Sequence, residues 1–444
     1  MGLFERLFGG GSKKDDQPNI PFGRYSDSYK SNTQYDAWDA AVSKFEEKNY
    51  LDSYKEFFNY LSDPSQNNVK WWEEDDGKIY FELLQGSKKV SGSCTNEKVQ
   101  ASTKVVKCDR LNVGFMRRLM EKNYNLKYGR FALDDSNDIV MKFDTYVVDG
   151  SPWKLYYALK EVANNADKQD DLLIDEFDML HAVDTGHVRE IPGLEKNVKF
   201  DFVQKWIKET VARANELDGN RFSGGIAYLL LNLFYKLDYL IQPEGFMMET
   251  LERGHRTYFA RDEKTTQQKN DALIKELNKL VERPRDEFNK EMYRVTSTFG
   301  ITNPVNHDRV VSFIDGELNN MDWYKENNYP KIATSIPGYI AGYCLFNYAI
   351  PQPDRELLHL LIEILESDYF EALGFTHQYY DLETKKFDKS GIRREISSIV
   401  KSNLRKYPKF DPKVNTLSFD SLADFAKTFM LMVRNLDLSP AKNN

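Results

Sequence analysis

The feature that most constrains this chain is a change of hydrophobic period. Between Lys78 and Val147 apolar side chains tend to alternate, as in Lys78-Ile79-Tyr80-Phe81-Glu82-Leu83 and in Val99 to Cys108. Alternation suits strands with one buried face, so these segments and Lys89 to Cys94 predict three antiparallel strands, punctuated by Gln85-Gly86-Ser87 and Thr95-Asn96-Glu97. Asn112 then caps a helix carrying Val113, Phe115, Met116, Leu119 and Met120. Phe131 to Leu133 and Ile139 to Val147 flank the turn Asp134 to Asp138, and Ser151-Pro152 start a helix running through Leu155, Leu159 and Val162 towards Phe177. Upstream, Trp38, Ala41, Phe45, Tyr50, Tyr54, Phe57 and Leu61 recur at helical spacing. After the connector His181 to Pro192 the period is helical to the end. The runs are Val198 to Leu217, Ile226 to Ile241, Phe246 to Phe259, Asp271 to Thr298, Asp308 to Tyr324, Pro337 to Ala349, Asp354 to Leu373, Gly391 to Tyr407 and Ser418 to Leu436. The pattern predicts a tail (1–33), an α+β domain of order α-β-β-β-α-β-β-α with an antiparallel sheet (34–184), and an all-α domain (190–444).

Composition narrows the class. Of 444 residues, 61 are basic and 69 acidic; the net charge of −8 works against a general nucleic-acid binder, which needs a basic surplus to neutralise phosphates. Cys94, Cys108 and Cys344 are too few and scattered for a disulfide scaffold and predict a reducing, cytoplasmic setting. The first residues lack the apolar core and cleavage site of a signal peptide. The most apolar run, Ile226 to Tyr235, closes at Lys236 and Asp238, short of the about 20 apolar residues a bilayer span needs. Gly9 to about Asn32 is Gly, Ser, Lys, Asp, Asn and Pro with few regularly spaced apolar residues, and predicts a flexible tether. Ahead of it, Leu3, Phe4, Leu7 and Phe8 would share one face of a two-turn helix, a candidate weak contact for a partner groove or membrane surface.

The hairpin text Arg130-Phe131-Ala132-Leu133-Asp134-Asp135 with Asp138-Ile139-Val140-Met141-Lys142-Phe143-Asp144 is followed by Trp153-Lys154-Leu155-Tyr156-Tyr157-Ala158-Leu159 and Asp170-Asp171-Leu172-Leu173. Together with the element order, it resembles the YbjN-like bacterial proteins and the type III secretion chaperones (the Tir-chaperone-like fold), over residues 36–178. The resemblance implies a domain whose sheet face and helix hold segments of other proteins, and it implies a homodimer, because such chaperones are small dimers. It transfers no site residues one by one, and this chain continues well beyond the length of such proteins.

Few constellations suggest chemistry. Glu252-Arg253-Gly254-His255 and Glu356-Leu357-Leu358-His359 repeat the Glu-x-x-His spacing of di-iron bundles. In the second, however, the buried face is defined by Leu357, Leu358, Leu361, Ile362, Ile364 and Leu365, which turns Glu356 and His359 to solvent. His255 faces inward, and one inward pair does not assemble a metal site. His181 and His187 with Asp178 and Asp184 form a second, poorer cluster in the connector. Phosphate-loop, dinucleotide and nucleophile-elbow motifs do not occur. No catalytic residue, metal site or cofactor is expected.

Candidate partner contacts are Trp71 and Trp72 as aromatic anchors, and Arg394, Lys401 and Arg405, which with Ser398 line one face of a helix. The acidic run Glu161, Asp167, Asp170, Asp171, Asp175, Glu176 and Asp178 is a candidate dock for that basic stripe within the same chain. The expected role is non-enzymatic: a protein-binding, chaperone-like or scaffold protein. The alternative is an enzyme with an unrecognised site in the helical domain, for which His255 beside Glu252, then Asp178 and His181, are the residue-level candidates.

Overall fold

The computed structural model describes residues 17–183 and 185–441, so Leu3, Phe4, Leu7, Phe8 and Asp184 lie outside the described residues. Helices α1 (Asn32–Glu46) and α2 (Tyr50–Leu61) form a hairpin. The Ser31 hydroxyl accepts the Gln34 N–H while the Gln34 side chain reaches back to the Ser31 backbone, satisfying two donors that a helix start leaves orphaned. Tyr54, Phe57, Phe58 and Leu61 put one face of α2 wholly into the core. Then follow β1 (Val69–Glu73), β2 (Ile79–Gly86), β3 (Lys88–Cys94), β4 (Lys98–Cys108), α3 (Val113–Asn125), β5 (Arg130–Leu133), β6 (Ile139–Tyr146) and α4 (Pro152–Glu176). Ser151 and Pro152 start α4 as the sequence predicts, the Ser151 hydroxyl accepting the Lys154 N–H.

The strands pair antiparallel in the order β1-β2-β3-β4-β6-β5. Four strands, not three, precede α3. Trp71 and Trp72 lie within β1, opposite Phe81 and Tyr80, because a short segment ending in charged residues shows too few alternations to be read as a strand. Ile79, Phe81, Leu83, Val90, Val99, Ala101, Met141 and Phe143 face inward beneath α2 and α4. Gly92 makes this packing fit: a Cβ there would lie 2.3 Å from the Phe81 ring and 2.2 Å from the Gln100 carbonyl oxygen.

Two short pieces of the connector, β7 (Leu180–His181) and β8 (Arg189–Glu190), lead to a mostly helical region: α5 (Gly193–Asn215), α6 (Ser223–Ile241), α7 (Gly245–Phe259), α8 (Thr266–Glu282), α9 (Arg285–Lys290), α10 (His307–Glu317), α11 (Asn320–Glu326), α12 (Pro330–Asn347), α13 (Gln352–Leu365), α14 (Ser367–Ala372), α15 (Lys389–Asn403) and α16 (Leu422–Arg434). Helix α6 is apolar nearly all round and is buried nearly all round, packed along α12 and α7. Among the described residues no helix is long and apolar enough to cross a membrane.

Three sequence expectations are corrected here. The helical run Asp271 to Thr298, punctuated at Pro284 as the sequence predicts, ends not in helix but in two short strands, β9 (Tyr293–Arg294) and β10 (Thr296–Ser297). β10 extends the sheet by pairing with the end of β2, Thr298 donates its hydroxyl to the Leu84 carbonyl at 2.8 Å, and Phe299 is buried in the sheet's own core. Pro337 does not start a helix but sits inside α12, which begins at Pro330. Residues 17–31, read as flexible tether, form a strap across the helical region. Gly23 N–H donates to the Tyr239 carbonyl at 2.9 Å, Arg24 reaches Asp238 and Glu252, and the Tyr29 hydroxyl donates to the Ile350 carbonyl at 2.7 Å. Isolated anchors such as these carry no period, so composition alone hid them.

Close helix approach gives a direct test. A Cβ on Gly254 of α7 would stand 2.1 Å from the Phe234 ring of α6. Gly254→Ala is expected to lower stability in urea unfolding by about 1–3 kcal/mol, the usual range for overpacking; an unchanged midpoint would show that this helix pair is looser than the geometry states.

Candidate binding surface

Helix α3 carries apolar side chains on both of its faces, one buried and one exposed. Asn112 caps it, accepting the Gly114 N–H at 2.7 Å, and Phe115 and Leu119 turn inward, Phe115 edge-on to Phe177 at 5.8 Å. On the opposite face Val113, Met120 and Tyr124 are 83%, 71% and 90% exposed, with Met116 half-buried between them. Positions 113, 116, 120 and 124 follow the spacing by which a helix seats in a groove or on another helix. With Leu111 they line a shallow apolar trough of about 760 Å³, flanked by the Arg117–Glu121 ion pair at 3.1 Å.

The same helix closes the edge of the sheet. Asn123 donates to the Phe131 carbonyl at 3.0 Å and accepts the Phe131 N–H at 2.7 Å, so its amide takes the place of a further strand on β5. What this end of the molecule offers a partner is therefore an apolar helix face rather than a bare strand edge. The sequence reading assigned Val113, Met116 and Met120 to this helix but did not single out its outer face. The signal was present in Leu111, Val113, Met116, Met120 and Tyr124, which exceed what one buried face requires.

The predicted contact residues fall in separate places. Trp71 donates its indole N–H to Asn59 at 3.1 Å, while Trp72, 43% exposed, stacks on Tyr80 with ring centroids 5.9 Å apart. Arg394 and Lys401 are exposed on α15, which packs against α13, while Arg405, expected on the same helix, is exposed in the turn that follows its end at Asn403. The acidic run does not dock on them. Asp170 pairs with Lys88 at 2.6 Å, Asp175 with Arg283 at 3.0 Å and Glu176 with Arg118, while Glu161 accepts the backbone N–H groups of Lys127, Tyr128 and Gly129.

The histidine candidates are held by other partners. His255 Nδ1 is hydrogen-bonded to the Tyr235 hydroxyl at 2.8 Å and the ring lies between Phe259 and Phe346; burial, with the Arg24 charge adding, pulls its pKa down to about 4, so the ring is neutral at pH 7. Glu252 does not meet it. Its carboxylate takes Arg24 at 3.1 Å and Lys168 at 2.5 Å. His359, expected at the surface, is covered by the strap: Phe22 packs on its ring at 5.4 Å and the Tyr239 hydroxyl lies 2.9 Å from Nδ1. Glu356 likewise is half-buried and accepts from Asn403 at 2.7 Å. His181 meets Asp109 at 2.7 Å and His187 the Gly86 carbonyl at 2.8 Å, so the connector histidines do not converge, and Asp178 is exposed. A pair not visible in any sequence pattern is His307 with Asp354, buried together at 2.9 Å from residues 47 positions apart. Among the described residues no three His, Cys, Asp or Glu side chains are grouped to hold a metal. No family model matches the chain, and no curated protein matches it.

The densest charge lies where α4 meets α7. Lys168 bridges Glu249 at 2.6 Å and Glu252 at 2.5 Å. Beside them Asp167, Asp170 and Asp171 crowd against Lys88, with Glu244 next to the three aspartates, the Ser87 N–H on Asp167 at 2.7 Å and the Tyr293 hydroxyl on Asp171 at 2.7 Å. Burial, then the neighbouring Asp170 charge, pushes Asp167 up to about 7, and the same two causes raise Asp171 well above the carboxylate range. A carboxyl whose folded pKa is raised binds its proton more tightly folded than unfolded. Its contribution is therefore full below the ordinary carboxylate range and is lost as pH rises towards 7. Asp167→Asn, which keeps an acceptor for Ser87, is expected to raise the thermal midpoint at pH 8 and leave it unchanged near pH 3.5. Equal midpoints at both pH values would show that Asp167 carries no strained charge.

Proposed function

We propose that this protein is a non-enzymatic, chaperone-like or scaffold protein of the cytoplasm that binds other proteins. The observation that carries this reading is the outer face of α3, where Val113, Met120 and Tyr124 present contiguous apolar side chains to solvent on a helix anchored by its other face. Such a face gains by burial about 25 cal/mol per Å² of apolar surface, and its rim of Arg117 and Glu121 supplies orientation. The occupant we favour is a partner protein presenting an apolar helical segment, in keeping with the YbjN-like and secretion-chaperone resemblance of residues 36–178. The cytoplasmic assignment is supported by three unpaired cysteines, two of them buried.

The test is cross-linking mass spectrometry on the native full chain and on a Val113→Asp, Met120→Asp variant. Substitutions at such exposed positions shift stability by about 0.5 kcal/mol or less, so the variant is expected to melt with the parent. The parent is expected to give cross-links from residues 111–124 to another protein, and the variant to lose them. Cross-links that persist in the variant, or none from this helix in the parent, would contradict the reading. Light scattering on both chains identifies a second copy as the occupant if only the parent is dimeric.

A further inference from the structure

The strap lies in a groove whose walls all come from the helical region. Helices α6, α7, α12, α13 and α14 and the turn after α14 build this groove, and the helices pack into the helical core through other side chains, Leu237, Leu240, Leu251 and Leu357 among them. Strap residues 17–25 belong to no helix or strand. They are held instead by three successive pockets, each reading a different chemistry.

Phe22 enters an aromatic cage, 5.1 Å from Phe370, 5.4 Å from His359 and 6.0 Å from Phe375 between ring centroids. Gly23 follows with φ +76°, and a Cβ there would lie 2.6 Å from the Tyr239 ring, so only glycine fits. Its N–H donates to the Tyr239 carbonyl at 2.9 Å and its carbonyl accepts from Gln242 at 2.5 Å. Arg24 comes next, its guanidinium 3.9 Å over the Phe346 ring, with Nε 2.8 Å and Nη2 2.5 Å from the Asp238 carboxylate and Nη1 3.1 Å from Glu252. A planar fork satisfies two carboxylates and a ring face at once, which a lysine ammonium cannot do. Main-chain bonds flanked by side-chain pockets are the construction by which proteins bind extended segments.

We propose that this groove is a binding site for an extended protein segment of the form aromatic-glycine-arginine, filled in the resting chain by Phe22-Gly23-Arg24 and open to a partner's segment of the same chemistry. The cis segment holds the site by proximity, with an effective concentration in the millimolar range (about 1 mM) for a short tether. A competitor must match all three pockets to displace it. The occupant is a partner and not a second copy's strap. A Cβ on Gly300 would stand 2.8 Å from the Ser26 Cα, and Asp27 is tied to the Tyr156 hydroxyl at 2.5 Å, so a displaced strap peels away from its N-terminal side while residues 26–27 stay anchored to their own molecule.

The experiment inserts a protease site between Lys30 and Ser31 of the full chain, cleaves it after folding, and adds a fluorescein-labelled peptide of residues 17–30. The nicked chain is expected to exchange its strap for the peptide, with uptake at least tenfold tighter than by uncut protein. The Arg24→Ala and Arg24→Lys peptides are expected to bind at least tenfold more weakly than the parent peptide. An uncut Arg24→Ala chain, whose own strap lacks the fork, is expected to take up the parent peptide at least tenfold more tightly than the uncut parent, which keeps the test open should nicking unfold the protein. Equal binding of the arginine-free peptide, or no uptake by either opened chain, would overturn the proposal. Dimers of uncut protein lost on Arg24→Ala would overturn the assignment of the occupant to a partner. The Val113→Asp, Met120→Asp chain, nicked in the same way, should bind the peptide unchanged, so failure of the α3 reading and failure of this one are told apart.

Discussion

Lys168 decides how the two regions of the chain meet. It stands on α4, the helix that backs the sheet, and its ammonium lies between Glu249 and Glu252 of α7. Ion pairs only partly removed from water add little net stability, because desolvation offsets much of their attraction. Such a seam therefore acts mainly on geometry. Any other docking of α4 on α7 gives up the Lys168 bridge and leaves Glu249 to Arg256 and Glu252 to Arg24 and Arg256, and the crowding of Asp167, Asp170 and Asp171 around Lys88, with Glu244 beside them, narrows the tolerated positions further. The pairing of β10 with β2 and the insertion of Phe299 into the sheet's core follow once that docking is set.

The surfaces left over are the ones with functional meaning. Arg118 pairs with Glu176 at the end of α4, and Phe115 packs on Phe177, so α4 fixes which way α3 faces. Its outer stripe then points away from the molecule, with Asn123 sealing the strand beneath it. The strap works at the other end of the seam. Glu252 receives Lys168 from one side and Arg24 from the other, so the segment that fills the groove shares a carboxylate with the joint between the regions.

Sequence carried the regular parts of this fold well and the irregular parts poorly, for physical reasons. Strands β2, β4 and β6 alternate because one face is buried and the other is not, and the caps Asn112 and Ser151 are local hydrogen-bonding devices visible in any window of text. The α+β order followed by helices was legible for that reason. Strand β1 and the pair β9 and β10 were not, because a strand of two to five residues is defined by its partner and not by its own period. His359 was misplaced because helical periodicity assumes that whatever is polar faces water. Here the covering surface was Phe22, far away in sequence and set among glycine, proline and asparagine. The His307–Asp354 pair and the carboxylate cluster share that property, since each is assembled by tertiary contact alone. Of the contact residues read from the sequence, Trp72, Arg394, Lys401 and Arg405 are exposed, but on separate elements, and the α3 face escaped notice because its inner and outer apolar residues interleave in the text.

The claim that the seam makes one body of the two regions is tested most directly by native-state hydrogen exchange. Amides of residues 166–176 in α4 and 246–259 in α7 are expected to share one opening free energy, and Lys168→Met to lower protection in both segments by the same amount. Loss of protection in α4 alone, with α7 unmoved, would contradict the account.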